Sequence, residues 1–207
     1  MKKIPVLFAS LTVVVATAVI ACNSDKNSSQ NNEGVALVDG VTEASAKETL
    51  VKRGQYLVTI MGCQDCHSPK VMTPQGPAID SSRMFSGHPA SMPVPKVDVS
   101  SLQSWVLLNH NGTAYAGPWG ISFAANISSD GTGIGNWSEA QFFKAMREGK
   151  YKGLDNTRPM MPPMPWTMYR YASDEDLKAI FAYLKSTAPV ENAVPAPIPP
   201  DQLAKLN

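Results

Sequence analysis

Cysteine is scarce in this 207-residue chain: there are three, at positions 22, 63 and 66. A zinc site built on Cys63 and Cys66 would therefore lack a fourth protein ligand of the usual kind. An excess of charge of one sign is also missing, with 18 basic against 17 acidic residues and a net charge of +1. That balance predicts no nucleic-acid partner. Long hydrophobic runs are absent too, because the apolar run from about Val6 to Ala21, which contains no charge, is short for a membrane span. The glycine-rich segment from Asn126 to Trp137 has no buried strand ahead of it, as a dinucleotide site needs, and no set of acidic ligands for calcium. It is expected to be a surface loop.

The N-terminus has a different character. Lys2 and Lys3 precede the apolar run, which is the layout of a secretory signal peptide. The run ends Val19-Ile20-Ala21-Cys22, which resembles the box of bacterial lipoproteins, where cleavage precedes a cysteine that becomes lipid-modified. The resemblance implies that Cys22 is the mature N-terminus and a lipid anchor, which would also account for the odd cysteine. Residues 1–21 are then the signal and 22–45 a tether, since Asn23 to Gly34 are almost all polar and cannot bury a core. Residues 46–188 are the expected domain, and the proline-rich 189–207 an extended tail that lies over the domain or is free.

The chain is organised around Cys63-Gln64-Asp65-Cys66-His67. Two cysteines separated by two residues and followed at once by histidine form the pattern that attaches a c-type haem. Each thiol adds across one vinyl group, and the adjacent imidazole of His67 becomes the proximal iron ligand. A disulfide, a thioredoxin-like pair or half a zinc site would not need His67. Pro69 or Pro77 is expected to offer the carbonyl that accepts the His67 Nδ1 proton. The expected cofactor is one covalent haem c.

Ser45-Ala46-Lys47-Glu48 has capping-box spacing and predicts a helix to about Met61, with Leu50, Val51, Leu57, Val58 and Met61 on its apolar stripe. Gly54 lies on that face and suits a close approach, with Tyr183 a candidate to pack there. Gly62 is expected to give a tight entry into the motif. Ser138 caps a second helix ending at Gly149, and Ser173 begins a third that buries Leu177, Ile180, Phe181 and Leu184. Asn111-Gly112 predicts a short hairpin between segments 105–108 and 113–115. The fold class is mainly α with an inserted loop and hairpin.

The sixth iron position has several candidates. Met160, Met161 and Met164 lie among prolines in Arg158-Pro-Met-Met-Pro-Pro-Met-Pro-Trp166, where restricted backbone presents a side chain at low entropic cost. His88 and His110 are alternatives of the bis-histidine kind. Arg158, Trp166 and Tyr115 could bond or pack on the haem, while Trp137 is expected in the core.

Gly54-Gln55-Tyr56-Leu57, Gly62 through Lys70, Asn126-Ile127, Thr132 through Ser138, Met164-Pro165-Trp166 and Ser173 through Leu177 together resemble the class I cytochrome c domains related to the haem subunits of bacterial alcohol and gluconate dehydrogenases. The resemblance implies three to five helices around the haem, with N- and C-terminal helices crossing. It also implies Met164 as the second axial ligand, with Met161 next. Those subunits usually carry several haem motifs, whereas this chain has one, so the expected role is a single relay. The implied protein is a lipid-anchored, exported electron carrier, facing the periplasm or the cell surface. Its partners would be a dehydrogenase or quinol-oxidising complex and a terminal oxidase or other cytochrome. An enzyme or sensor with an opening sixth site, or an assembly subunit, are the competing classes.

Overall fold

The computed structural model describes residues 38–94 and 96–206, with side chains from Glu43 onward. The signal segment, Cys22 and most of the expected tether lie outside the described residues.

The first helix, α1 (Val38–Ile60), starts ahead of the expected Ser45 cap. Ser45 is a mid-helix residue, and its carbonyl accepts the Thr49 hydroxyl at 2.8 Å. Glu48 reaches forward to Lys52 at 2.6 Å and does not turn back to cap. The residues of a capping box also serve as i,i+4 partners inside a helix, so the spacing alone misplaced the start. Toward its C-terminal end α1 buries Leu57 and Val58.

The partner of α1 is the long C-terminal helix α5 (Asp174–Ser186), against which it makes its main packing contacts. A Cβ on Gly54 would collide with the Ala179 carbonyl oxygen and stand 2.7 Å from Tyr183 Cβ. Glycine is needed there because the two backbones touch. Arg53 and Asp176 close the crossing with a 3.0 Å ion pair. Ser173 caps α5 by accepting from Asp176 N at 3.0 Å, and Leu177, Ile180 and Leu184 are its buried stripe. Phe181 is only half-buried.

Between these helices come α2 (Cys63–His67), two small antiparallel sheets, α3 (Glu139–Glu148) and the short α4 (Trp166–Tyr169). Helix α3 has the complete capping box expected at Ser138, with Gln141 answering it, and ends at a left-handed Gly149. Strands β1 (Lys70–Thr73) and β2 (Gly76–Ile79) form one hairpin. Strands β3 (Leu107–Leu108), β4 (Ala114–Gly117) and β5 (Gly120–Phe123) form a three-stranded sheet in that order. The Asn111-Gly112 hairpin is its β3–β4 connection, and Gly112 has a φ of 66°.

Two apolar clusters result. The larger joins Leu57, Val58, Phe85, Ile134, Phe142, Leu177 and Ile180, with Trp137 packed against it. The smaller sits on the sheet, where Leu102, Ala116 and Ile121 meet Leu203 from the tail. The tail is thus part of the domain: Ile198 and Ile121 exchange backbone hydrogen bonds at 2.8 and 2.9 Å.

The glycine-rich segment is a correction to the expected surface loop. Asn126, Ser128 and Ile134 within it are buried. Asn126 donates to Val190 O at 2.8 Å and to Thr132 Oγ1 at 3.0 Å, and its Oδ1 accepts from Ser128 N at 2.9 Å. A Cβ on Gly133 would lie 2.6 Å from Ser128 O. The segment folds inward on its own backbone because one amide side chain satisfies the polar groups that would otherwise need water. Among the described residues no helix is long and apolar enough to cross a membrane.

Candidate haem site

Gly62, with φ 67° and ψ 27°, turns the chain out of α1 and into α2. One turn of helix then carries Cys63, Cys66 and His67, so the two thiols and the imidazole leave the backbone close together. Both cysteines are free and half-buried. Burial pushes the Cys63 thiol up to about 11. A thioredoxin-like pair needs a thiol lowered toward neutrality, so this environment does not suit it. Among the described residues no three His, Cys, Asp or Glu side chains converge to hold a metal ion.

His67 is oriented by a backbone carbonyl, although neither proline provides it. Its Nδ1 lies 2.7 Å from Ala125 O, while Pro69 O accepts the Asp80 amide and Pro77 belongs to β2. A carbonyl can only accept, so the proton sits on Nδ1 and Nε2 keeps its lone pair for iron. Burial lowers the His67 pKa and outweighs the opposing pull of the Ala125 carbonyl, which favours the neutral, ligating form. Gly87 packs against this carbonyl, since a Cβ there would stand 2.6 Å from Ala125 O, and its own amide donates to His67 O at 2.8 Å.

Other contacts fix the motif from outside. Lys70 Nζ caps the end of α2 by donating to Asp65 O, and to Ser68 O at 3.0 Å. Buried Ser68 accepts from Phe85 N at 2.9 Å. The Tyr115 hydroxyl donates to Gly112 O at 2.7 Å and lies 3.0 Å from Cys66 Sγ, and burial raises its pKa. Tyr169 donates to Met61 O at 2.8 Å, tying α4 to the entry of the motif.

The Met-rich strap runs from Met160 to Trp166. Met160 N donates to Gly149 O at 2.6 Å, and the Trp166 indole lies over Gly149, where a Cβ would be 2.6 Å from Cδ2. Met164 and Cys63 both pack on the main cluster, and His67 and Met164 are near each other. Met161 is half-buried in the same strap.

The remaining candidates fall in different places. Tyr115 reaches the motif directly, and Trp166 is built into the strap. Arg158 is exposed, with its guanidinium 4.0 Å from the centre of the Tyr151 ring. His110 is exposed. His88 is 1% exposed, with Nδ1 at 2.9 Å from Thr113 Oγ1 and its ring 4.7 Å from that of Phe123.

Sequence reasoning missed Ala125, Gly87 and Lys70. A carbonyl has no side-chain signature, so Ala125 could not be found. Lys70, a cation just past a helix end, could have been.

The donor set suits one group. Two thiols in no disulfide on one helical turn, an imidazole whose Nδ1 is engaged so that Nε2 keeps its lone pair, and a nearby thioether fit a covalently held haem, so fold and site define a c-type cytochrome. Comparison with known proteins agrees. The cytochrome c family model matches residues 51–188, and the chain belongs to that family, carrying covalent haem c and serving electron transfer. It is 33% identical over 155 residues to the gluconate 2-dehydrogenase cytochrome c subunit of Pantoea cypripedii, a match that covers 74% of this chain and 27% of that protein. It is 28% identical over 164 residues to the fructose dehydrogenase cytochrome subunit of Gluconobacter japonicus, covering 78% of this chain and 26% of that one. A third match, 26% identical over 139 residues, is to the alcohol dehydrogenase (quinone) cytochrome c subunit of Gluconobacter oxydans, covering 67% of this chain and 21% of that protein. The chain thus spans about a quarter of the length of these relatives.

Proposed function

We propose that the chain is a lipid-anchored, exported, monohaem class I cytochrome that relays one electron at a time with His67 and Met164 as axial ligands. The observation that carries this reading is the commitment of His67 Nδ1 to Ala125 O at 2.7 Å, with Met164 nearby in a proline-bound strap. The haem, when bound, supplies reversible one-electron iron chemistry. This chain's part is to attach it through Cys63 and Cys66, to hold His67 neutral and oriented, and to occupy the sixth position with a thioether, which favours ferrous iron and denies that position to small ligands.

The names of the relatives support a dehydrogenase as electron donor, and a quinol-oxidising complex is the alternative source. A terminal oxidase or another cytochrome would be the acceptor. Export and anchoring rest on the apolar run and Cys22.

Optical spectra of the ferric and ferrous holoprotein, with and without carbon monoxide, test the ligation. The wild type is expected to show the methionine–iron charge-transfer band and to bind carbon monoxide poorly. Met164→Ala should lose the band and bind carbon monoxide readily. If Met161→Ala removes the band and Met164→Ala keeps it, the ligand is Met161.

A further inference from the structure

We propose that the β4–β5 hairpin sets the strength of the sixth iron bond through Ser122, a positioning residue whose hydroxyl holds the middle of the methionine strap. The proposal rests on the Met164 ligation above and adds what regulates that bond.

Ser122 is 6% exposed and sits on β5. Its Oγ donates to Pro162 O at 2.6 Å and accepts from Trp119 Nε1 at 3.2 Å. The indole end of this chain is itself fixed, because the Trp119 ring lies so close to Gly117 that a Cβ there would be 2.6 Å from Cη2. A hydroxyl that accepts one hydrogen bond donates the next more strongly. The strap needs such a tie. Pro162 and Pro163 have no amide to donate, and the Met164 amide is spent inside the strap on Met161 O at 3.3 Å. Ser122 Oγ is therefore the described donor that reaches the strap's centre from outside.

The same hairpin also holds the other side of the site. Tyr115 and Ser122 are direct cross-strand partners, so their side chains project from one face of the sheet. One meets Cys66 Sγ at 3.0 Å and the other meets the strap. Two residues beyond β5, Ala125 O accepts from His67 Nδ1 at 2.7 Å. A single rigid ribbon thus touches the cysteine, the proximal histidine and the strap, and fixes how far apart the two ligands can drift.

Losing the Ser122 hydroxyl should let the strap swing away more often, by about fivefold for one net hydrogen bond. Carbon monoxide binds the ferrous protein only when the sixth position opens, so its apparent affinity should rise by the same factor. The test compares Ser122→Ala, Ser122→Thr and Trp119→Phe with Met164→Ala, in holoprotein of matched haem content and helical signal. Ser122→Ala should bind carbon monoxide about fivefold more tightly than wild type, with a weaker charge-transfer band and a lower midpoint potential. Trp119→Phe, which removes the donor to Ser122 together with the ring edge packed on Gly117, should move the same way by less, and decides the matter should Ser122→Ala fail to mature. Ser122→Thr, which keeps the hydroxyl, should stay near wild type.

The bracing is overturned if Met164→Ala opens the site while Ser122→Ala and Trp119→Phe keep wild-type carbon monoxide affinity and potential. It is equally overturned if Ser122→Thr shifts as far as Ser122→Ala, since volume and not the hydroxyl would then be at work. If Met164→Ala itself leaves carbon monoxide binding unchanged, the ligation has failed and the bracing of that ligand fails with it.

Discussion

One methyl group at position 54 is enough to test how closely the crossing helices are held. The Cβ of Gly54→Ala would fall on the Ala179 carbonyl and within 2.7 Å of Tyr183 Cβ, and neither a helix backbone nor a Cβ can step aside alone. Overpacking of this kind costs about 1–3 kcal/mol or more. In a domain of this size the melting temperature of the holoprotein should fall by roughly 4–10 °C, and an unchanged melt by circular dichroism would refute the close crossing. His88 offers a second test at this scale. Burial lowers its pKa from 6.5, and its Nε2 has no protein partner, so folding disfavours its charged form. The unfolded chain takes up that proton as pH falls below about 6.5 and the folded one only at lower pH, so stability is full above that pH and declines below it, by at most about 1.4 kcal/mol per pH unit. His67 does not blur the reading in the holoprotein if iron holds it. Asp80, Asp98 and Asp130, whose carboxyls hydrogen bonds from nearby Ser and Thr hydroxyls hold below 3.8, weaken the fold only at lower pH. Denaturant titrations between pH 5 and 7 should therefore show a shallower acid loss for His88→Gln than for wild type. Equal slopes would mean that His88 is not the group responsible.

The elements differ in how far the sequence revealed them, and the reason is the kind of interaction that holds each one. Helix α3 was legible at both ends because its signals are local: a serine with glutamine three residues on, and a glycine that takes a left-handed φ of 65°. Helix α5 and the Gly54–Tyr183 contact were legible from apolar spacing. The Cys63–His67 turn was legible from chemistry alone. Three features were not. The α1 start was misplaced by a local pattern with two uses. The inward loop at Asn126 is held by a polar side chain, which hydrophobic periodicity does not register. The tail, for which lying over the domain and lying free were both open, is held by the Ile121–Ile198 backbone bonds, by buried Leu203 and by the Asn192 amide, which donates to Ser86 O and His88 O at 2.6 and 2.8 Å, and proline content registers none of these. That attachment makes a clear forecast. Ending the chain at Ala188 would uncover Ile121, which is 2% exposed, and remove Leu203 and Ile198, losing about 3 kcal/mol or more of apolar burial. The truncated holoprotein should melt at least roughly 6 °C lower. A melt indistinguishable from the full chain would show the tail to be dispensable.

At the scale of the whole molecule, the described domain contains one haem motif and spans about a quarter of its cytochrome-subunit relatives. On the proposed reading the domain is a single relay between donor and acceptor, and an anchor would keep it beside them. The sequence offers Cys22 for that purpose: an acyl chain contributes about 0.8 kcal/mol per buried methylene, and two or more chains make release slow. The polar composition of Asn23 to Gly34 suits a spacer between that anchor and a domain whose described helices cannot cross a membrane. The anchor and the electron-carrying site are separable on this account, which gives the test its form. In cells that export and mature the protein, wild-type haem absorbance should sediment with the membranes. Cys22→Ser should release it into the soluble fraction with unchanged ferrous and ferric spectra. Release without spectral change would locate the membrane attachment at Cys22 and leave the Cys63–His67 site untouched. A variant that still sedimented with the apolar run removed would show that the domain is held at the membrane by a protein surface and not by lipid.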